Sequence, residues 1–243
     1  METRVDEIGD GIFRLASWTA EIGGPAGFTF CQFLIQADEP LLFHTGQRPL
    51  FASVSQAAAK AVDLGRLRWL SYSHAEADEC GALNEWLAAA PNAQPLHSPI
   101  GCGLWLNDAA DRPPRALRSD QRLDLGGRSV RFIATPHLPH NVDAGLLFEE
   151  ATATLFCSDL FAHGGDPAAL TEGDILGPAL EMERHFPFTP VTPETGPTLR
   201  RLAALQPKRL AVMHGASYEG DCAGLLEAMA AHYEGVLRRG AAD

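Results

Sequence analysis

Short apolar runs, four to nine residues long and bounded by Gly, Pro or Asp, punctuate the chain and predict β-strands. They are Ile12–Trp18, Phe28–Gln36, Pro40–Phe43, Leu67–Tyr72, Val130–Ala134, Ala144–Phe148, Thr154–Cys157 and Arg209–Met213. Between them, Val54–Leu64, Asp78–Ala90, Pro197–Leu205 and Gly224–Leu237 repeat apolar residues at spacings of three and four, which predicts helices. The early strands follow one another closely, as hairpins do, and helices then interrupt the strands in both halves. That order suits an α/β sandwich with sheets inside and helices outside. The stretch Asp111–Asp120 (DRPPRALRSD) reads as a linker or surface loop, and residues 163–194 as a long loop with one short helix. Neither an internal repeat nor a low-complexity segment is present, and residues 1–243 read as a single domain able to bury a sizeable core.

Composition narrows the classes of function. At 46% hydrophobic and 21% charged, the chain has the balance of a globular protein. A formal net charge of -12 argues against a nucleic-acid or anionic-membrane binder, which needs clustered Lys and Arg. No apolar stretch reaches the roughly 20 residues that span a bilayer. The opening METRVDEIGDGIF has acids and lacks the apolar core of a secretory signal, so a cytoplasmic protein is expected. The five cysteines are scattered without a C-x-x-C pair, which removes rubredoxin-like iron sites, zinc ribbons and thioredoxin motifs. They read as small buried hydrophobes in a reducing compartment, although Cys80 and Cys157 adjoin the acids considered next.

The densest polar point is SYSHAEADEC, residues 71–80, with His74, Glu76, Asp78 and Glu79 directly after an apolar run. Side chains two apart on an extended segment face the same way, so His74 and Glu76 can converge on one point. Asp78 and Glu79 fall at a helix start, where anions are favoured, and a simple capping stretch is the alternative. Three further strand ends carry similar residues: TPHLPHNVDAG at 135–145, Asp159 after Phe156-Cys157-Ser158, and His214 after Ala211-Val212-Met213. Strand ends are where α/β proteins gather functional side chains, so four of them point to one site. Acids this crowded repel one another unless cations sit among them, and two divalent or trivalent metal ions meet that need. His97, His163, His185 and His232 lack partner acids at metal spacing and read as surface or packing residues, with His163 within reach of a pocket mouth. Trp69 and Trp86 read as packing.

The ordered pattern H-x-E-x-D, then His, then Asp, then His resembles the metallo-β-lactamase fold superfamily. Glu76 at the third motif position resembles its diiron branch, the flavodiiron proteins and stand-alone oxygen-binding diiron proteins; zinc hydrolases of the superfamily usually have His there. The resemblance runs from the early strands to His214. It implies an αββα sandwich of two mixed β-sheets flanked by helices, with the metal site at one edge between the sheets. It further implies that His74, Glu76 and a mid-chain histidine hold one metal, Asp78 and His214 the other, and that Asp159 bridges them. Family spacing to the bridging acid selects His140 for the mid-chain position and leaves His137 to the outer pocket. Asp159, Glu79 and His137 are the candidates for a part in catalysis.

The implied function is a non-haem diiron protein that binds, senses or reduces O2 or NO. Because no FMN-binding loop follows His214 and rubredoxin cysteines are lacking, its electrons are expected from a separate flavoprotein or rubredoxin. A second reading is a binuclear zinc or manganese hydrolase of a phosphodiester, thioester or lactone, in which the metals polarise the ester oxygen. Relatives with this site often form head-to-tail dimers in which one chain's site faces the partner's redox module; with no such module here, a homodimer would need another rationale. Two residues depart from the family pattern. Glu79 stands where many relatives have His, which gives metal 2 an extra carboxylate or removes a ligand. His44 stands where the family commonly has an Asp that supports the metal ligands from behind.

Overall fold

The computed structural model describes residues 2–240. The chain opens with an antiparallel meander of β1 (Thr3–Gly9), β2 (Ile12–Thr19), β3 (Phe28–Ile35) and β4 (Leu41–Phe43). Strands β5 (Trp69–Ser71), β6 (Gln94–His97) and β7 (Arg115–Ala116) then add in parallel, giving a mixed sheet ordered β1-β2-β3-β4-β5-β6-β7. The second sheet repeats the plan with β8 (Arg122–Asp124), β9 (Ser129–Ala134), β10 (Gly145–Glu149) and β11 (Thr154–Ser158) as an antiparallel meander. It is completed by β12 (Leu170–Thr171), β13 (Arg209–Val212) and β14 (Ser217–Glu219), in the order β12-β14-β13-β11-β10-β9-β8.

Apolar packing falls into three layers. Phe33, Phe43, Phe132 and Phe156 fill the space between the sheets, with the Phe156 ring centroid 5.5 Å from Phe33 and 5.7 Å from Phe43. Val54 and Trp86, from helices Phe51–Ala58 and Leu83–Ala89, pack on Leu42 and Leu70 of the first sheet. Leu199, Leu202, Leu226 and Met229, from helices Thr195–Ala203 and Cys222–Gly240, pack on Leu155 and Leu210 of the second. Both faces of the inner strands are thus buried, which is why they read as continuous apolar runs. The result is the expected sandwich of two mixed sheets flanked by helices. Among the described residues, no helix is long and apolar enough to cross a membrane.

All eight strands expected from the apolar runs are present, with ends moved by a residue or two. The expected helix over Asp78–Ala90 is instead two, Ala77–Cys80 and Leu83–Ala89. Between them the Ala82 amide donates to the Gly46 carbonyl at 2.8 Å, a tertiary bond that takes the place of helix continuation. The helix expected over Val54–Leu64 starts earlier and ends sooner, at Phe51–Ala58. The stretch Asp111–Asp120 carries β7 and leads from the edge of the first sheet to β8 of the second. Residues 163–194 hold one short helix, Leu176–His185, together with β12.

Strand directions decide where chemistry can gather. Strand β13 is parallel to β11, and β9 reaches the same direction through the antiparallel β10, so all three end at one edge. The segment after β5 meets that edge, where the Gly145 amide donates to the Ser73 carbonyl at 3.0 Å. Gly145 has no room for a side chain, since an added Cβ would lie 2.1 Å from Cζ of the buried Phe132. Gly145→Ala should therefore overpack the layer between the sheets and cost about 1–3 kcal/mol of stability. Chemical denaturation of the two proteins measures this; an unchanged midpoint would contradict the tight packing at this position.

Candidate metal centre

Strand β5 ends at Ser71, and the chain continues through Ser73 and His74 into the four-residue helix Ala77–Cys80. Glu76 occupies the position that caps this helix, in an extended conformation, yet its side chain makes no capping hydrogen bond. Its Oε2 instead lies 2.9 Å from His74 Nε2 and 2.9 Å from His140 Nε2. The simple capping alternative therefore fails for Glu76.

Asp159 follows β11 and divides its two oxygens. Oδ2 lies 3.5 Å from His74 Nε2 and 3.6 Å from His140 Nε2, whereas Oδ1 lies 3.0 Å from His214 Nε2. On that second side, Asp78 Oδ2 stands 3.4 Å from His214 Nε2. Donor atoms of His74, Glu76, His140 and Asp159 all lie within 4.8 Å of one another, so this group could hold a metal ion. Asp78 and His214 continue the donor set across Asp159. Imidazole nitrogens and carboxylate oxygens in this mixture suit a first-row transition metal.

The histidines are oriented from behind. His214 Nδ1–H donates to the Thr29 carbonyl at 2.9 Å, and Phe28 stacks on its ring with centroids 4.4 Å apart. His74 turns Nδ1 towards Glu79, whose Oε1 is 3.4 Å away. Each imidazole so held points Nε2 at the acids, the arrangement that metal-ligating histidines use.

Without a cation, protons on the imidazoles supply the positive charge that the acids require. Burial opposes charging His74, but Glu79, Glu76 and Asp159 outweigh it and push its imidazole up to about 10. Burial likewise opposes charge on His214, and its bonds to Asp159 and Asp78 still raise it well above the ordinary range. Hydrogen bonds from His140 and then His74 hold Glu76 well below the usual carboxylate range.

The structure does not gather every candidate. Glu79, expected either to add a carboxylate to metal 2 or to leave it a ligand short, turns away from His214 and Asp78 because its oxygens are taken up beneath the site. Oε2 accepts the amides of Ser73 and His74, each at 2.7 Å, and Oε1 accepts the hydroxyl of Ser158. His137 is exposed and stays out of the cavity over the site, its backbone held in a left-handed turn (φ 65°) by the Asn141 carbonyl, which accepts its amide at 2.7 Å. His163 is buried behind β13, where its Nε2 accepts the Ala216 amide at 2.9 Å, so it does not reach the pocket mouth. His97 packs on Tyr72 and donates from Nε2 to the Ser73 carbonyl at 3.0 Å.

His44 stays buried with its backbone at φ 67°, and its Nε2 lies 3.5 Å from Glu79 Oε1. The two departures from the family pattern therefore touch one another. Burial pushes the His44 imidazole down to about 3, which leaves it neutral.

A cavity of about 250 Å³ opens over the acids and histidines. Its walls are Ile22, Phe28, Met182, Phe186 and Phe188, and among the described residues neither lysine nor arginine lines it. Met182, Phe186 and Phe188 come from the segment that reads as a long loop with one short helix, Met182 from the helix Leu176–His185 itself. The segment's apolar residues are the one sequence signal that could have identified a wall.

Comparison with known proteins places this geometry in a lineage. A curated relative from Synechocystis sp., putative diflavin flavoprotein A 2, is 29% identical over 194 residues, covering 78% of this chain and 33% of its own. The anaerobic nitric oxide reductase flavorubredoxin of Salmonella arizonae is 27% identical over 141 residues, covering 56% of this chain and 29% of its own. The chain thus spans about a third of the length of these relatives. Among solved structures, rubredoxin oxygen:oxidoreductase from Desulfovibrio gigas superposes with a TM-score of 0.85 at 19% identity, over 95% of this chain and 62% of that one. This likeness shows that the sandwich is the metallo-β-lactamase fold found in flavodiiron proteins. The family profile described as ODP family beta lactamase matches residues 28–186, well over half of the chain, and to that family this protein belongs.

Proposed function

We propose that the chain is a non-haem diiron protein that binds, senses or reduces O2 or NO, with electrons from a separate flavoprotein or rubredoxin. The observation that carries the reading is the division of Asp159, one oxygen towards His74 and His140 and the other towards His214. In this assignment His74, Glu76 and His140 hold one iron, Asp78 and His214 hold the other, and Asp159 bridges. Two irons bound there would supply one-electron redox chemistry at adjacent atoms. The names of two similar proteins, an oxygen:oxidoreductase and a nitric oxide reductase, support the choice of diatomic.

The residues of the chain do the remaining work. The apolar walls of the cavity admit a small uncharged molecule and offer nothing to hold a phosphate, which weighs against the hydrolase reading. Glu76 weighs against zinc in particular, because a hard carboxylate donor suits iron or manganese better than a third imidazole would. His74 and His214 give up their protons as metal enters, and the acids exchange proton partners for metal.

Protein purified without added metal should contain about two iron ions per chain by elemental analysis. Zinc in their place would support the hydrolase instead. Replacement of Glu76 by His should shift the loaded metal from iron towards zinc, roughly tenfold or more in the ratio of the two. Mixing the anaerobically reduced protein with O2, and separately with NO, should change its visible absorption only when iron is present. The absence of any iron-dependent change would sink the reading.

Metal affinity should also depend on pH with a definite sign. His74 holds a proton in the metal-free protein up to about pH 10, and that proton must leave when metal binds. Affinity should therefore climb as pH rises from near neutrality and level off towards about pH 10, by roughly tenfold per pH unit for each displaced proton. Chelator-competition titrations across that range measure the slope, and a flat profile contradicts proton displacement.

A further inference from the structure

Glu79 is a buried carboxylate one residue from a candidate ligand, yet it faces neither the cavity nor His214. Every group around it is a donor or can present one. Its Oε2 accepts two consecutive backbone amides, Ser73 and His74, both at 2.7 Å. Its Oε1 accepts the hydroxyl of Ser158 and lies 3.4 Å from His74 Nδ1. His44 Nε2, buried and without another partner, stands 3.5 Å from the same oxygen. An environment made of donors suits a side chain whose two oxygens both accept, which a carboxylate supplies.

The contacts also join distant parts of the chain. Ser73 and His74 belong to the segment after β5 in the first sheet, and Ser158 ends β11 in the second, directly before Asp159. Both His44 and Ser158 reach Glu79 from left-handed backbone conformations, φ 67° and φ 53°, which residues with a Cβ enter only when their surroundings hold them there. At Ser158 the pairing of β11 with β13 shifts register, so the strand is bent at the point where its hydroxyl turns under the site.

We infer that Glu79 is a positioning residue: it fixes the proton of His74 on Nδ1, frees Nε2 for metal, and clamps the His74 segment to the strand end that carries Asp159. The assignment rests on the metal-site reading above and gives Glu79 no direct bond to metal. A carboxylate behind a ligating histidine sets both the tautomer and the basicity of the ring. The role that the family commonly gives to an acid after β4 is thereby met from the helix Ala77–Cys80.

Glu79→Gln is the discriminating variant, because glutamine keeps the volume and one acceptor for the amide pair. Its NH2 must then occupy the Oε1 place, where it donates to His74 Nδ1 and moves the ring proton to Nε2. Zinc titration of chelator-stripped protein is expected to show two sites in the wild type. In Glu79→Gln one of them should weaken about 10–100-fold while the other is kept. In the zinc-loaded wild type, NMR of the imidazoles should find the His74 Nδ1 proton shifted far downfield by a bond to the Glu79 carboxylate, a shift that Glu79→Gln removes. Zinc on Nε2 alone would not produce that shift, and neither would a merely structural residue. Wild-type zinc affinities in Glu79→Gln, or a His74 Nδ1 proton without the downfield shift in the loaded wild type, overturn the assignment. The second result does so even where the variant fails to fold. Wild-type protein that takes up no zinc or iron defeats the metal-site reading itself, and this assignment with it.

Discussion

Charge compensation at one buried edge is the constraint on which the rest of the structure depends. Glu76, Asp78 and Asp159 converge on His74, His140 and His214 where the strand ends of two sheets meet. Asp159 is buried and Glu76 half open to solvent, yet carboxylates this close repel, and protons on the imidazoles or metal ions between them hold the group together. Strand direction follows from the same need. His140, Asp159 and His214 can meet only because β9, β11 and β13 run the same way, and His74 only because the segment after β5 is tied to β10 by the Gly145–Ser73 bond.

The two departures from the family pattern are physically one. An acid expected after β4 and a histidine expected in the helix after β5 are exchanged, so that His44 and Glu79 stand 3.5 Å apart. The exchange leaves one carboxylate and one imidazole in the layer beneath the site. It also moves the carboxylate to where it accepts the His74 amide and faces His74 Nδ1. A neutral His44 costs little there, because burial already disfavours its charged form.

Much of this was legible in the sequence, and the reasons it was so are specific. Strand ends in α/β folds gather chemistry, and His74, Glu76, Asp159 and His214 each sit directly behind an apolar run. The choice of His140 over His137 came through resemblance, and the structure brings His140, not His137, within 2.9 Å of Glu76. What was not legible depends on contacts remote in sequence. The orientation of Glu79 is set by Ser158 and His44, and the break in its helix by the carbonyl of Gly46. Strand β1 was hidden because only Thr3 and Ile8 of its seven residues are buried, which leaves no apolar run to read. The cavity walls from Met182 to Phe188 were hidden because the end of the helix Leu176–His185 and the residues after it meet the site only through the fold.

The support behind the histidines makes the two halves of the site unequal. His74 has a carboxylate at its back, Glu79, whereas His214 has the neutral carbonyl of Thr29. A carboxylate partner raises the basicity of an imidazole more than a carbonyl does, so the ring of His74 is the stronger donor. The protein donors divide in the same sense. Glu76, His74 and His140 gather on one side of Asp159, and only Asp78 and His214 on the other. In the proposed assignment the poorer side is the one that keeps room for a ligand, and the apolar cavity opens over both sides, with Phe28 stacked on His214 as part of its wall. A small uncharged molecule entering there would find its open position on the metal with fewer protein ligands. The asymmetry is built from the backs of the histidines, not from their faces, which is why it follows from the fold beneath the site as much as from the ligands themselves.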